Sequence, residues 1–202
     1  CFRDCRGIVA KDFTLKNAGF WSFRLFRCED VEIKGLTVNS IHCVNNDGID
    51  VDARNVHISR CDIRSDDDGI CLKSDDSDFP VENILVEKCR IASNCNPIKF
   101  GTASLSCFRN VVFRNCKIRS TGEALVWDWS KKYDGIEPHE PRGLSGITVQ
   151  SADGAVIENI LFRNISMEGI MTPVFLYVGH RSSRLGSMSD VRFENIRAVA
   201  RG

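Results

Sequence analysis

Two short acidic motifs, about twenty residues apart, hold the side chains of this sequence best suited to acid–base chemistry. The first is Asn45-Asn46-Asp47-Gly48-Ile49-Asp50, and the second is Asp66-Asp67-Asp68-Gly69-Ile70. Carboxyl groups that lie close together repel when ionised, which raises the pKa of one and leaves the others charged. General acid–base catalysis needs one protonated carboxyl beside one carboxylate. We therefore predict a site where Asp47 meets Asp67 and Asp68.

The elements that must position these motifs are copies of one strand-like pattern, in which Asn or Asp precedes alternating apolar and variable residues. The copies start at Asp30, Asn55, Asn83, Asn110, Asn159 and Asp190, and six residues after each start come Leu36, Cys61, Cys89, Cys116, Ile165 and Ile196. The starts lie 25 to 31 residues apart, except for one interval of 49 residues. That interval fits two turns of a coil, or one turn with an insertion. Asn at each start suits a turn, where its side chain bonds backbone groups or equivalent residues on adjacent turns.

A second set of short strands follows the first. Its members are Gly48-Ile49-Asp50-Val51, Gly69-Ile70-Cys71-Leu72, Pro97-Ile98-Lys99-Phe100, Ala124-Leu125-Val126-Trp127 and Pro173-Val174-Phe175-Leu176. Both sets alternate apolar and polar residues with the period of a half-buried strand, and we interpret Asp50, Asp52 and Asp62 as outward polar residues. Strand pairs that recur without intervening helices predict an all-β fold, a parallel β-helix. A leucine-rich repeat would need a Leu-x-x-Leu-x-Leu frame, where this chain has Val, Ile and Cys.

The composition narrows the class of protein. A length of 202 residues suffices for one core, and we expect a single β-helix domain over residues 1–202, a fragment without terminal caps. Lys+Arg and Asp+Glu number 27 each, so the basic excess typical of nucleic-acid binders is missing. No apolar run has the length of a membrane span. We expect a monomer that binds neither nucleic acid nor membrane.

The ten cysteines predict buried thiols and not a metal site. No Cys-x-x-Cys pair has a matching His or a second such pair, and the cysteines fall at matching positions of the repeat. Free Cys in such a column behaves as a small apolar residue. We expect no metal and no cofactor.

Two segments interrupt the repeat. Residues 74–80 form an acidic loop directly after the second motif, and residues 127–142 form a long aromatic and charged insertion. Loops that project from a solenoid commonly border its binding groove. Trp127, Trp129 and Tyr133 of the insertion are interpreted either as stacking surfaces for sugar rings or as core packing.

The two acidic motifs resemble those of glycoside hydrolase family 28, the polygalacturonases and their relatives. The matching residues are Asn45 to Asp50, then Asp67-Asp68-Gly69-Ile70-Cys71-Leu72-Lys73-Ser74, with Gly19-Phe20-Trp21-Ser22-Phe23 upstream. The resemblance runs through nearly the whole chain. It implies a right-handed parallel β-helix that hydrolyses pectic polysaccharide with inversion and without metal. It also implies a secreted or periplasmic protein.

Roles for individual residues follow from this resemblance. It implies that Asp67 is the general acid that protonates the glycosidic oxygen, and that Asp47 and Asp68 hold and deprotonate the attacking water. Asp66-Asp67 is an alternative register for the pair, but the following Gly-Ile-Cys-Leu-Lys matches only with Asp67-Asp68. The chemistry agrees, because inverting hydrolysis needs one protonated carboxyl, one carboxylate and room for a water.

The sequence also departs from the family pattern. Asn96 stands where the family's histidine is expected, and Thr148-Val149-Gln150 stands where its Arg-Ile-Lys segment is expected. A neutral subsite would bind galacturonate poorly, so the chain either acts on another pectic sugar or supplies a cation from elsewhere. The candidate substrate-binding residues are Asn45, Asn96, Lys99, His180 and Arg181. Lys99 and Arg181 are the candidate cations, each with surface charge as the alternative, and His180 is a candidate for the missing histidine.

Two other functions fit the same residues. A β-helical polysaccharide lyase would use Ca²⁺, which the carboxylates of Asp66 to Asp68 together with Asp75, Asp76 and Asp78 offer enough oxygen to bind. A carbohydrate-binding β-helix without catalysis would be consistent with the missing His, Arg and Lys.

Overall fold

The structure is a computed structural model that describes residues 1–123 and 143–199. These residues contain no helix, 68% of them are in strands, and the strands wind into a parallel β-helix of about seven turns. The strands are β1 (Phe2–Arg3), β2 (Arg6–Lys11), β3 (Thr14–Lys16), β4 (Phe23–Lys34), β5 (Thr37–Ser40), β6 (Ile49–Ser59), β7 (Asp62–Ser65), β8 (Ile70–Ser74), β9 (Val81–Glu87), β10 (Arg90–Ser93), β11 (Ile98–Ser104), β12 (Cys107–Arg119), β13 (Gly143–Ser151), β14 (Val156–Glu168), β15 (Ile170–Val178) and β16 (Ser187–Val199). Because the described residues contain no helix, none is a candidate membrane span.

Each strand pairs in parallel with its equivalent on the next turn. One series runs β4, β6, β9, β12, β14 and β16, and a second runs β6, β8, β11, β13 and β15. A third series joins β3, β5, β7, β10 and the end of β12. The fold predicted from the period-two pattern is therefore confirmed.

The interior is filled by inward residues stacked from turn to turn. In the second series the register partners Ile49, Ile70, Ile98, Ile147 and Val174 form one apolar column. In the predicted column, Leu36, Cys61, Cys89, Cys116 and Ile165 are each at most 2% exposed, whereas Ile196 on β16 is only partly buried. Each inward residue is covered by the turns above and below it, so the repeat pattern itself specifies the core.

Asparagine side chains form a ladder at the strand starts. Asn55 donates to Asp30, Asn83 to Asn55, Asn110 to Asn83 and Asn159 to Asn110, at 2.9 to 3.0 Å. All five residues have φ between 54° and 57°, a left-handed conformation that Asn and Asp tolerate better than other residues with a side chain. The predicted bonding between equivalent residues on adjacent turns is confirmed.

The irregular interval of 49 residues is one turn with an insertion. Val111 pairs directly with Ile160, so β12 and β14 lie on adjacent turns. The predicted strand at residues 124–127 lies outside the described residues, as do Trp129 and Tyr133, and β13 occupies the position between β11 and β15. The three consecutive aspartates lie in the turn between β7 and β8 and not on a strand.

Candidate active site

The coil brings Asp47 and Asp68 to equivalent positions on consecutive turns. The Gly48 amide donates to the carbonyl of Asp68, and the Gly69 amide donates to the carbonyl of Asn96, both at 2.9 Å. A Cβ atom at Gly48 would lie 2.3 Å from the Ile63 side chain and 2.5 Å from the next backbone, so this close approach requires glycine. The Asp-Gly pairs therefore stack the column of Asp47, Asp68 and Asn96.

A network of polar side chains fixes the turn that contains the aspartates. The Asn46 side chain is fully buried, and its Oδ1 accepts the amides of Asp66 and Asp67, both at 3.0 Å. The Ser93 hydroxyl donates to the Asp67 carbonyl at 2.5 Å. Asp66 turns away from the cluster and accepts a bond from Asn94 at 2.8 Å. Sequence reasoning missed Asn46, although it precedes the first aspartate directly.

The three predicted carboxyl groups lie close together. One oxygen of Asp47 lies within 4.8 Å of an oxygen of Asp68, and the same limit holds for Asp67 and Asp68. Asp47 and Asp68 are 2% and 1% exposed, whereas Asp67 is only partly buried. Asp67 is therefore the member of the cluster that is most accessible from solvent.

Asp68 is held by two neighbours from the next turn. Lys99 Nζ lies 2.7 Å from Oδ2, and Asn96 Nδ2 donates to Oδ1 at 2.7 Å. Asn96 in turn accepts a bond from the Thr148 hydroxyl at 2.9 Å. Both oxygens of this buried carboxylate thus have charged or polar partners, which offsets the cost of burying it.

Lys73 is a second cation of the site, which sequence reasoning did not single out. Its Nζ lies 3.1 Å from Asp47 Oδ2 and 3.2 Å from Asp50 Oδ1, and it lies over the Trp21 ring at 5.4 Å. Asp50 and Asp52 alternate with the core residues Ile49, Val51 and Ala53, as predicted, but both are fully buried and not exposed on the surface. Asp62 is partly exposed, as an outward residue should be. The alternation on β8 places Lys73 on the same face as Cys71 and opposite inward Ile70 and Leu72, but only the register between turns brings it to Asp47.

The carboxyl groups of the cluster differ in pKa, as expected for acidic groups that lie close together. Burial, with repulsion from Asp68 and Asp47, raises the pKa of Asp67 to about 7. Burial and repulsion from Asp68 also raise the pKa of Asp47, against the opposing effect of Lys73. Burial opposes ionisation of Asp68, but Lys99, Lys73 and the bond from Asn96 hold its pKa below the usual value. Near neutral pH, Asp67 is therefore protonated in about half of the molecules, whereas Asp68 beside it is ionised.

Comparison with protein-family models matches residues 2–126 to the model described as glycosyl hydrolases family 28. This match covers more than half of the chain. The chain belongs to family 28. No curated protein matches the chain.

Two solved structures are similar to this family 28 chain. A hyperthermoactive exopolygalacturonase from Thermotoga maritima has a TM-score of 0.68 and 22% identity over 96% of this chain. A family 28 exopolygalacturonase from Yersinia enterocolitica has a TM-score of 0.44 and 16% identity over 94% of this chain. The chain spans only 42% and 43% of the lengths of those two chains. At this identity the first likeness supports the fold.

The cations and the histidine proposed for substrate binding have other surroundings in the structure. Arg181 forms two bonds to Asp153, at 2.7 and 2.6 Å, so its charge is paired with a carboxylate of the chain. Lys99 is paired with Asp68, as described above. His180 is exposed after the end of β15, and no contact in the described part of the chain joins it to the aspartates. Asn45 is an exposed residue with φ of 52°, which indicates a turn position.

The acidic loop does not join the aspartate cluster to form the predicted calcium site. Asp75 forms an ion pair with Arg24, and Asp76 lies 3.1 Å from Arg27. In residues 1–123 and 143–199, the groups of potential metal ligands around Asp68 include Asp47 with Cys71 and Asp67 with Cys95, but no loop residue. The carboxylates of Asp75 and Asp76 are therefore bound to β4, and the arrangement gives no support to the calcium-dependent lyase.

Proposed function

We propose that this family 28 chain hydrolyses a glycosidic bond of a pectic polysaccharide. The observation that supports the proposal is the cluster of Asp47, Asp67 and Asp68, in which one carboxyl has a pKa of about 7 and its neighbour is held ionised. The pKa of an effective general acid lies near the working pH, which is the case for Asp67 at neutral pH.

In the proposed reaction Asp67 transfers its proton to the glycosidic oxygen. The bond between this oxygen and the anomeric carbon then breaks, and its electron pair remains on the departing sugar. A water molecule attacks the anomeric carbon and loses its proton to a carboxylate of the cluster. Asp47 is the better acceptor, because both oxygens of Asp68 already accept bonds from Lys99 and Asn96. Asp68 then acts through its charge, which keeps the proton on Asp67.

The inverting course rests on the family resemblance and not on the spacing of the carboxyl groups. Inverting enzymes usually hold their two carboxyls roughly 6.5–9.5 Å apart, and retaining enzymes roughly 5 Å apart. The nearest oxygens of Asp67 and Asp68 lie within 4.8 Å. This short separation does not fit Asp68 as the base of an inverting reaction, and the proposal assigns that role to Asp47.

We further propose that the sugar bound next to the cluster is neutral or esterified. Lys99, Lys73 and Arg181 each contact a carboxylate of the chain, so their charges are compensated before substrate binds. An additional carboxylate beside Asp67 would add repulsion to a site that already contains several acidic groups. Unmodified galacturonate is therefore the poorer substrate at this subsite.

The test is an assay of reducing ends with a panel of pectic oligosaccharides, with the product anomer read by NMR. Hydrolysis gives new reducing ends without ultraviolet absorption, and inversion gives the anomer opposite to that of the substrate. A product with a new double bond, or activity that disappears with a chelator, would indicate a lyase. Sugar binding without any bond cleavage would indicate a carbohydrate-binding protein. Faster cleavage of unmodified homogalacturonan than of neutral or esterified fragments would overturn the neutral subsite.

A further inference from the structure

A separate face of the β-helix contains a concentration of positive charge. Two outward rows cross the third strand series, one through Asp62, Arg90, Lys117, Ser166 and Arg197, the other through Arg64, Ala92, Arg119, Glu168 and Val199. They line a cavity of about 690 Å³, whose lining does not include the three aspartates of the active site. We call its five cations, Arg64, Arg90, Lys117, Arg119 and Arg197, the cationic ledge.

Three cations of the ledge are without a partner of opposite charge. Arg90 is paired with Asp62 at 2.6 Å, and Arg64 is paired with Glu123. Lys117, Arg119 and Arg197 are exposed, and none forms an ion pair within the part of the chain that the structure describes. The lining of the cavity also contains Asp62 and Glu168, the latter a register partner of Arg119, so five cations face two carboxylates and the ledge has an excess of positive charge. The chain as a whole has no net charge.

Outward charges on the neighbouring strand series are arranged differently. There, Arg114 and Arg163 are also register partners, but each forms an ion pair on its other side, with Glu87 at 2.9 Å and with Glu194 at 2.6 Å. On the ledge, Lys117 lies between Arg90 and Ser166, so it has no carboxylate on either side. Like charges directly opposite each other destabilise a sheet. A ligand of opposite charge would offset this cost.

We propose that the cationic ledge binds a carboxylated polysaccharide chain at a distance from the active site, an inference that rests on the proposed function. Strands of one sheet lie about 4.8 Å apart, so Lys117 and Arg197, two strands apart, are separated by about 10 Å. A polymer with carboxylates at regular short intervals contacts several such cations at once. Arg binds a carboxylate through two parallel bonds, and Lys binds it as a point charge.

Two observations favour a polysaccharide over a nucleic acid as the occupant. The lining of the cavity contains no aromatic side chain on which bases could stack. The total charge is also zero, unlike the basic excess of most nucleic-acid binders. The ledge lies close to the site along the chain, since Arg64 on β7 precedes Asp67 by three residues. A chain bound there would raise the local concentration of substrate without contacting the reacting atoms.

The experiment measures binding of polygalacturonate to the Lys117→Gln/Arg119→Gln double variant by affinity electrophoresis at low salt. The control is Arg3→Gln/Arg192→Gln, which removes the same charge from exposed arginines outside the ledge. We expect the ledge variant to lose about tenfold in affinity and the control to lose less than twofold. Cleavage of a short neutral oligosaccharide should be unchanged in both variants.

Equal losses in the two variants, or no loss in either, would overturn the ledge as a binding site. The same variant is also tested with a sulfated polysaccharide and with a polynucleotide. If it loses as much affinity for both of these as for polygalacturonate, the assignment of the ledge to carboxylated chains is overturned. The binding measurement does not require catalysis, so its result is independent of the proposed reaction. If no substrate is cleaved but the ledge variant still loses binding, the proposed function fails and the ledge remains.

Discussion

Replacement of Lys99 by Met tests whether the aspartate cluster depends on its cations. Lys99 is mostly buried and forms the ion pair to Asp68 at 2.7 Å, while Asp68 itself is almost completely buried. Removing one partner of a buried ion pair costs about 3–5 kcal/mol, because the remaining charge is left uncompensated. We expect the lower end, about 3 kcal/mol, since Asn96 keeps its bond to Asp68. For a chain of this length that lowers the midpoint of thermal unfolding by roughly 6–12 °C.

The loss of stability in Lys99→Met should be larger at neutral pH than at acid pH. In the native protein the pKa of Asp68 is held low, so its ionised form stabilises the fold above the unfolded pKa, and this contribution is lost as the pH falls. In Lys99→Met, burial without the cation raises that pKa above the unfolded value. The variant is then most destabilised at neutral pH, and the difference from the native protein narrows toward pH 4.

Circular dichroism at neutral and acid pH gives the two midpoints, with Lys99→Arg as the control that keeps the charge. The double variant Lys99→Met/Asp68→Asn should recover most of the lost stability, because it removes the uncompensated carboxylate. A loss in Lys99→Met that is independent of pH, or that Asp68→Asn does not relieve, would refute the reasoning. The stability would then depend on packing of the lysine stem.

Three further predictions concern the same site. The rate constant kcat/KM should fall as the pH rises above about 7, because Asp67 must be protonated to act as the acid, and a rate that keeps rising beyond pH 8 would contradict this. Lys73→Met should raise the pKa of Asp47 further and move the acid limb of the pH–rate profile upward, whereas Lys73→Arg should leave it in place. Asn46→Leu should lower both the midpoint of thermal unfolding and the activity, because the amides of Asp66 and Asp67 lose their acceptor. Loss of only one of these two properties would show that Asn46 does not position the turn.

The sequence predicts the fold well because every repeat has the same pattern of apolar, polar and turn residues. The alternation of apolar and polar residues places one face of every strand inside. Asn in a left-handed turn recurs once per turn of the β-helix. These two patterns alone predict that Cys61, Cys89 and Cys116 stack on one another. The interval of 49 residues was ambiguous from the sequence, because an insertion and an extra turn have similar lengths. The direct pairing of Val111 with Ile160 resolves it.

The sequence predicted the carboxyl groups of the site more fully than its cations. Asp47, Asp67 and Asp68 stand out as motifs. Lys99 was a candidate cation for the substrate, but its pairing with Asp68, like that of Lys73 with Asp47, depends on the register between turns. Asp50 has the alternation of an outward residue, yet adjacent turns and Lys73 cover it. In a solenoid an outward side chain is exposed only where no loop or neighbouring side chain lies over it. The alternation along a strand shows which face a residue is on, but not whether that face is covered.

The most direct test of the account is the release of reducing ends by Asp67→Asn, measured against the native protein on the best pectic substrate of the panel. Asn keeps the shape of the side chain but has no acidic proton to transfer to the glycosidic oxygen. We predict a loss of at least about a hundredfold in kcat, with an unfolding midpoint as high as that of the native protein or higher, because a buried carboxyl with a raised pKa has been removed. Turnover close to the native rate in a folded Asp67→Asn variant would contradict the assignment of the acid and, with it, the proposed mechanism.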